Sequence, residues 1–242
     1  AKRFEEDHLR ILRAVRFVGQ LGFKLEPKTW AAVVQLREKL KTVSPERIHE
    51  ELGKLFETKN APDAINLLLK GHLLEVLIPG LRLSEVKKFP WKKIVNQKNQ
   101  SLLAWTVVMG ALPDLVRDST MRQLRFSNEE RQNILNVIKL MNSWPKFNKL
   151  ALAEKRRWAA HPQALWAYQF GKIVRKAGGP TLAFLKKNKN LPRAFVVAQD
   201  LLNMGLAPGP RIGEWLALAF EAQLNGKVKS RVQALKFIES LK

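Results

Sequence analysis

The sequence predicts an all-α fold, and three observations carry that expectation. Apolar residues recur at three- and four-residue spacing almost throughout the 242 residues. Cap and stop signals bracket the periodic stretches. No alternating run bounded by turn dipeptides signals a strand.

Residues 7–21 read as the first amphipathic helix. Ile11, Leu12, Ala14, Val15, Val18 and Leu21 share one arc, and Gly22 supplies the stop. Pro27 opens a second helix over residues 27–40. Ser44 stands at the N-cap of a third, with Pro45 at its first position and Ile48, Leu52 and Leu55 on one face. A fourth covers residues 62–70 and breaks at Gly71. A short one over residues 72–78 stops at Pro79-Gly80. Residues 82–99 are basic, contain Pro90-Trp91, and read as a linker or loosely helical segment. Residues 101–112 are apolar and read as buried. Ser127 caps a helix running to about Met141. Further helices are expected over residues 149–158, 163–176, 182–185, 193–204, 210–223 and 230–241. The seven tryptophans read as packing anchors, although Trp91, among Lys87, Lys88, Lys92 and Lys93, also suits stacking on a base.

Composition narrows the chemistry. There is no cysteine, which excludes disulfides, thiolate metal sites and a cysteine nucleophile. Four histidines with no pair three to five apart offer no local zinc motif. No apolar run reaches the roughly 18 residues of a membrane span. The charged start Ala1-Lys2-Arg3-Phe4-Glu5-Glu6-Asp7 does not read as a signal peptide. The expected setting is the cytosol, with no membrane partner.

The net charge is +22, from 43 Lys+Arg against 21 Asp+Glu. It is unevenly spread: residues 1–80 carry a net +3 and residues 81–242 a net +19. Residues 86–113 and 155–199 contain no acid at all. Such a surface is expected to meet phosphates. Candidate RNA contacts are Lys87, Lys88, Lys92, Lys93, Lys172, Arg175, Lys176, Lys186 and Lys187. Another is Gly209-Pro210-Arg211-Ile212-Gly213, where Gly209, Arg211 and Gly213 flank a proline-initiated helix start whose free N–H groups suit a phosphate.

One segment carries more specific chemistry. Asp7, Arg10, Arg13 and Arg16 form a ridge at three-residue spacing, with Asp7 in the first turn where the helix dipole favours a carboxylate. By spacing alone this is also a solvated helix face. A carboxylate beside a guanidinium further matches the Watson–Crick edges of cytosine and adenine, each an amine next to a ring acceptor.

The run Glu6-Asp7-His8-Leu9-Arg10-Ile11-Leu12-Arg13 resembles the EDxxRxxR motif of class II nucleotidyltransferases, the bacterial-type tRNA CCA-adding enzymes and poly(A) polymerases. Ser44-Pro45-Glu46-Arg47-Ile48 with Glu51-Leu52, and Leu73-Leu74-Glu75-Val76-Leu77-Ile78-Pro79, continue the resemblance. Leu124-Arg125-Phe126-Ser127-Asn128-Glu129-Glu130-Arg131 and the run from Gly205 to Gly213 are similar to the family's body and tail. The resemblance implies an elongated multi-helix arrangement: a neck over residues 1–80, an RNA-binding body over 81–160 and an RNA-binding tail over 161–242. It implies base selection by Asp7 and Arg10, nucleotide contact by Glu6, Arg13 and Arg16, ATP and CTP as substrates, and tRNA as partner. The family's catalytic head holds Mg²⁺ on paired aspartates, and nothing in this sequence matches it. No catalytic or metal-binding residue is therefore expected in the chain, which alone is expected to be inactive and to need a head. A poly(A) polymerase fragment and an RNA-binding module without a nucleotide pocket are the alternatives.

Overall fold

A computed structural model describes residues 2–174 and 178–241, and no strand occurs among them. The chain is all-α and divides into two compact units. One is built from the described residues of 1–139 and 169–176, the other from those of 140–168 and 177–242.

In the first unit, α1 (Lys2–Glu6) leads into α2 (Arg10–Leu21), which ends on Gly22 in the left-handed conformation. α3 (Pro27–Gln35) follows, with Glu26 accepting from Thr29 N at 2.8 Å as its cap. α4 (Pro45–Phe56) and α5 (Ala61–Lys70) pack directly on α2. Ile11, Leu12 and Val15 of α2 are fully buried against a core that includes Leu52, Leu55, Phe56, Ile65 and Leu68. Each such side chain contributes roughly 1.5–3 kcal/mol. Gly19 sets how close the helices come. A Cβ there would lie 2.4 Å from Thr58 Oγ1, and Asn60 donates to Gly19 O through both its backbone N (3.0 Å) and Nδ2 (3.2 Å).

α6 (Leu73–Leu77), α7 (Leu83–Lys88), α8 (Gln100–Gly110), α9 (Asp114–Gln123) and α10 (Asn128–Ser143) continue the chain. The second unit is entered along α10 and holds α11 (Leu152–Ala160), α13 (Leu182–Lys187), α14 (Ala198–Asn203), α15 (Pro210–Leu224) and α16 (Arg231–Glu239). α12 (Ala164–Val174) contributes residues to both units. The core of the second unit gathers Leu201, Trp215, Ala219, Ala234 and Ile238, with Trp144, Phe147 and Trp158 in a separate aromatic cluster.

Several local expectations hold. Ser127 and Glu130 form a reciprocal capping box, Glu130 N to Ser127 Oγ at 3.2 Å and Ser127 N to Glu130 Oε2 at 2.8 Å. Others change. The helix expected over residues 7–21 starts only at Arg10, because Asp7 Oδ1 accepts from Leu9 N at 3.1 Å and holds a local turn. Ser44 occupies the N-cap position of α4 without a side-chain cap bond. The second helix ends at Gln35 and becomes a 3₁₀ turn over Arg37–Thr42, which buries Leu40 completely. Of the two readings of residues 82–99 the loosely helical one holds: α7 and a 3₁₀ turn over Trp91–Lys93 run through it, and Val86, Phe89, Trp91 and Ile94 are in the core, so it is not a free linker. Trp91 is buried and donates to Val86 O at 2.9 Å, so it is a packing residue and not a free stacking platform.

α9 has no counterpart among the expected helices. Its buried face is mixed: Met121 is fully buried beside Thr120 and Arg117, Arg117 donates to Met109 O and Leu112 O, both at 2.8 Å, and Leu115 is 97% exposed. Residues 193–197 are irregular where a helix was expected. The buried Gln223 accepts from Phe195 N (2.9 Å) and donates to Arg193 O (2.8 Å), taking backbone groups a helix would use.

His49 lies stacked on Phe126 with ring centroids 4.0 Å apart, and its Nε2 is 3.8 Å from Glu130 Oε1. Burial lowers its pKa, and Glu130 opposes that shift. The neutral ring is thus favoured in the folded state. That contribution is complete above the ordinary histidine pKa and is lost as pH falls through the lowered one. Thermal midpoints of the unaltered protein should fall between pH 7 and 5 more steeply than those of His49→Gln. Parallel curves would show that His49 does not carry the loss.

Candidate functional site

The four residues of the expected ridge point in two directions. Arg10 lies at the start of α2, and its Nη1 donates to Glu6 Oε2 at 2.7 Å and to Arg3 O at 2.9 Å. Arg10 and Arg13 open on a cleft of about 1130 Å³ between α1, α2 and the start of α3. Glu6, Lys28 and Thr29 line its walls, and Phe4, Ala14 and Phe17 give it an apolar side.

Asp7 and Arg16 face α4 instead. Asp7 Oδ2 accepts from Arg47 Nη2 at 2.9 Å. That bond, more than any other influence, holds the carboxyl below its usual range, with Leu9 N–H and the nearby charge of Arg10 adding to it. Asp7 is therefore held as an ionised acceptor. Arg16 Nε donates to Glu51 and Nη1 to Gln20, and its guanidinium lies 4.4 Å from the centroid of the Phe17 ring. Arg16, Gln20, Lys54 and Lys59 line a second cavity of about 410 Å³.

The structure thus brings Glu6, Arg10 and Arg13 together and sets Asp7 and Arg16 beside them on the α4 side. Sequence reasoning did not assign roles to Arg47, Glu51 or Lys28. Arg47 and Glu51 were visible as an i, i+4 pair of opposite charges on one helix, but their partners lie 40 and 35 residues away. Lys28 had no signal beyond its charge.

The expected RNA contacts are spread over both units. Lys87, Lys88, Lys92 and Lys93 are exposed around the buried Phe89 and Trp91. Phe89 stacks on Phe170 at 5.8 Å, and Lys172 is exposed two residues further along α12. Lys186 and Lys187 are exposed in the last turn of α13. Arg175 and Lys176 lie outside the described residues. At the start of α15, Gly209, Arg211 and Gly213 are exposed, and a Cβ at either glycine would meet nothing within 4 Å. Gly209 is in extended backbone that any residue adopts. Arg211 lies over the Trp215 ring at 4.9 Å. Among the described residues no group of three or more His, Asp or Glu is placed to hold a metal ion, and no helix is long and apolar enough to cross a membrane.

Comparison with known proteins finds relatives that share this fold. Residues 22–83 match the model described as a probable RNA and SrmB-binding site of polymerase A. The CCA-adding enzyme of Lactobacillus helveticus is 33% identical over 246 residues, covering 99% of this chain and 61% of that protein. The crystal structure of the Bacillus stearothermophilus CCA-adding enzyme in complex with CTP superimposes with a TM-score of 0.75 at 24% identity, covering 99% of this chain and 64% of the other. The Thermotoga maritima CCA-adding enzyme complexed with tRNA gives a TM-score of 0.63 at 21% identity, covering 99% and 62%. These two likenesses establish the fold. The chain spans about 60% of the length of the curated relatives it matches. The sequence relatives and structural neighbours that it matches along nearly its whole length are CCA-adding enzymes.

Proposed function

We infer that the chain is the nucleotide-selecting and tRNA-binding part of a tRNA nucleotidyltransferase that adds CCA, or part of it, to tRNA 3′ ends. The observation that carries this reading is the placement of an ionised Asp7 and of Arg10 at the start of α2, beside a cleft lined by Arg10 and Arg13. A carboxylate acceptor next to a guanidinium donor is the pairing that an amine beside a ring acceptor requires. Asp7 and Arg10 select the base, Glu6 and Arg13 support nucleotide binding, and Arg16 acts from the α4 side.

In this reading residues 1–80 serve as the neck, 81–160 as the body and 161–242 as the tail. The lysines of both units and the start of α15 hold tRNA in the cytosol. ATP and CTP are the substrates. The Mg²⁺ that nucleotidyl transfer uses belongs to a head domain outside these residues. A poly(A) polymerase part is the second reading, favoured by the polymerase A description of the model matching residues 22–83. Joined to a head, such a chain would extend RNA by many adenylates instead of stopping at CCA.

The direct test is binding and transfer by the chain alone. tRNA should bind with an affinity that falls with salt at a log–log slope of about −0.7 to −0.9 per phosphate neutralised. No labelled CTP or ATP should enter tRNA in the presence of Mg²⁺. Salt-independent binding would remove the electrostatic basis of the proposal, and incorporation would show that these residues hold their own catalytic centre.

The start of α15 has its own test. Gly213→Glu places a carboxylate where phosphate is proposed to lie, on exposed backbone with open space around it. tRNA affinity should drop about tenfold with an unchanged thermal midpoint. Unchanged affinity in the folded variant would make this an ordinary helix start.

A further inference from the structure

The cleft beside α2 contains an uncompensated charge that base selection does not use. Four cations line it, Arg3, Arg10, Arg13 and Lys28, against one carboxylate, Glu6. Glu6 is already taken by Arg10 at 2.7 Å. The Arg13 guanidinium and the Lys28 ammonium are exposed, and neither has a hydrogen-bond or ion-pair partner among the described residues. The backbone around Lys28 is nevertheless fixed. Glu26 accepts from Thr29 N at 2.8 Å and Thr29 Oγ1 at 3.1 Å, so the first turn of α3 presents Lys28 from a rigid base. The apolar side of the cleft, with Phe4 and Phe17, suits a ring or sugar. The volume of about 1130 Å³ admits a nucleotide.

We propose that Lys28 and Arg13 form a clamp for phosphate, held across the cleft from α3 and α2. The ligand chemistry is a phosphate chain carried by a nucleoside triphosphate or by an RNA end. Two free cations from different helices meet such a chain at two points, and each contact is charge-assisted. Lys28 thereby becomes a ligand-binding residue in addition to the ridge on α2. The inference builds on the nucleotide-selecting reading above, but it concerns phosphate and not the base.

The test uses the 242-residue chain and four probes: inorganic tripolyphosphate, CTP, cytidine and tRNA. Binding is followed by calorimetry. Lys28→Ala should weaken tripolyphosphate and CTP about tenfold and leave cytidine unchanged. Lys28→Glu should weaken them further, and Lys28→Arg should restore binding. If the phosphate belongs to RNA, Lys28→Ala weakens tRNA about tenfold and spares CTP. Either pattern supports the clamp and names its source. The clamp is overturned if Lys28→Ala changes neither tRNA nor the phosphate probes, or if the unaltered chain binds none of the four. Asp7→Ala separates the two ideas. It should leave tripolyphosphate binding intact, so a clamp that survives alongside unchanged base preference would count against the nucleotide-selecting reading alone.

Discussion

Glu51→Ala is expected to destabilise the first unit by about 3 kcal/mol. The Arg16–Glu51 pair ties α2 to α4, and its side chains are only 14% and 8% exposed. Removing the carboxylate leaves the guanidinium in the interface with Gln20 and the Phe17 ring as its remaining partners. A charge stranded in this way costs more than a surface pair is worth, because the Arg16 side chain is only 14% exposed to water and its remaining contacts, Gln20 and the Phe17 ring, carry no full counter-charge. At roughly 2–4 °C per kcal/mol for a unit of this size, the thermal midpoint should fall by about 6–12 °C. Replacing both residues by leucine should recover most of the loss, since an apolar pair of similar volume has no charge to strand. Calorimetry of the two variants checks this. A loss below about 1 kcal/mol would place the pair among exposed, screened ion pairs and would free Arg16 for another role.

The same pair shows how far the sequence could be read. The apolar arc of Ile11, Leu12 and Val15 was legible because helical spacing dictates which side chains enter the core, and all three are fully buried. Gly22 and the Ser127–Glu130 capping box were legible because both are local backbone chemistry. α9 was not, because only Met121 gives it a fully buried apolar side chain, while Arg117 turns inward to Met109 O and Leu112 O and Leu115 faces outward. Residues 193–197 were not, because a side chain about thirty residues on, Gln223, bonds Arg193 O and Phe195 N, and Asp200 takes Val197 N. In the candidate site the residue types were legible and their directions were not. Asp7 holds a local turn ahead of α2 instead of continuing the helix, and its other oxygen meets Arg47, while Arg16 lies close enough to α4 to meet Glu51. Partners 35 and 40 residues away are set by helix packing, which periodicity in one segment does not encode.

Base selection should depend on Asp7, beside the cleft, more than on any side chain that lines it. Its carboxylate already accepts from Leu9 N and Arg47 Nη2, two of roughly four lone-pair positions, and the remainder stay open to a base amine. Arg47 fixes the direction in which those open positions point and keeps the group ionised. Cytosine and adenine offer an amine there. Uracil offers none, and guanine sets a carbonyl against the carboxylate, two acceptors opposed. Each unsatisfied group costs about 1–3 kcal/mol, which is one to two orders of magnitude in selectivity. With the chain joined to a catalytic head, Asp7→Ala and Arg10→Ala should therefore relax the preference for CTP and ATP over UTP and GTP by about 10- to 100-fold. Arg13→Ala should mainly raise the nucleotide concentration required. Arg47→Ala should loosen selectivity by a smaller factor, because the carboxylate survives but loses its anchor, and Arg47→Lys should recover part of it. The comparison is kcat/KM for the four nucleotides with each variant. Full discrimination in Asp7→Ala would reduce this ridge to a solvated helix face and place base selection on other residues.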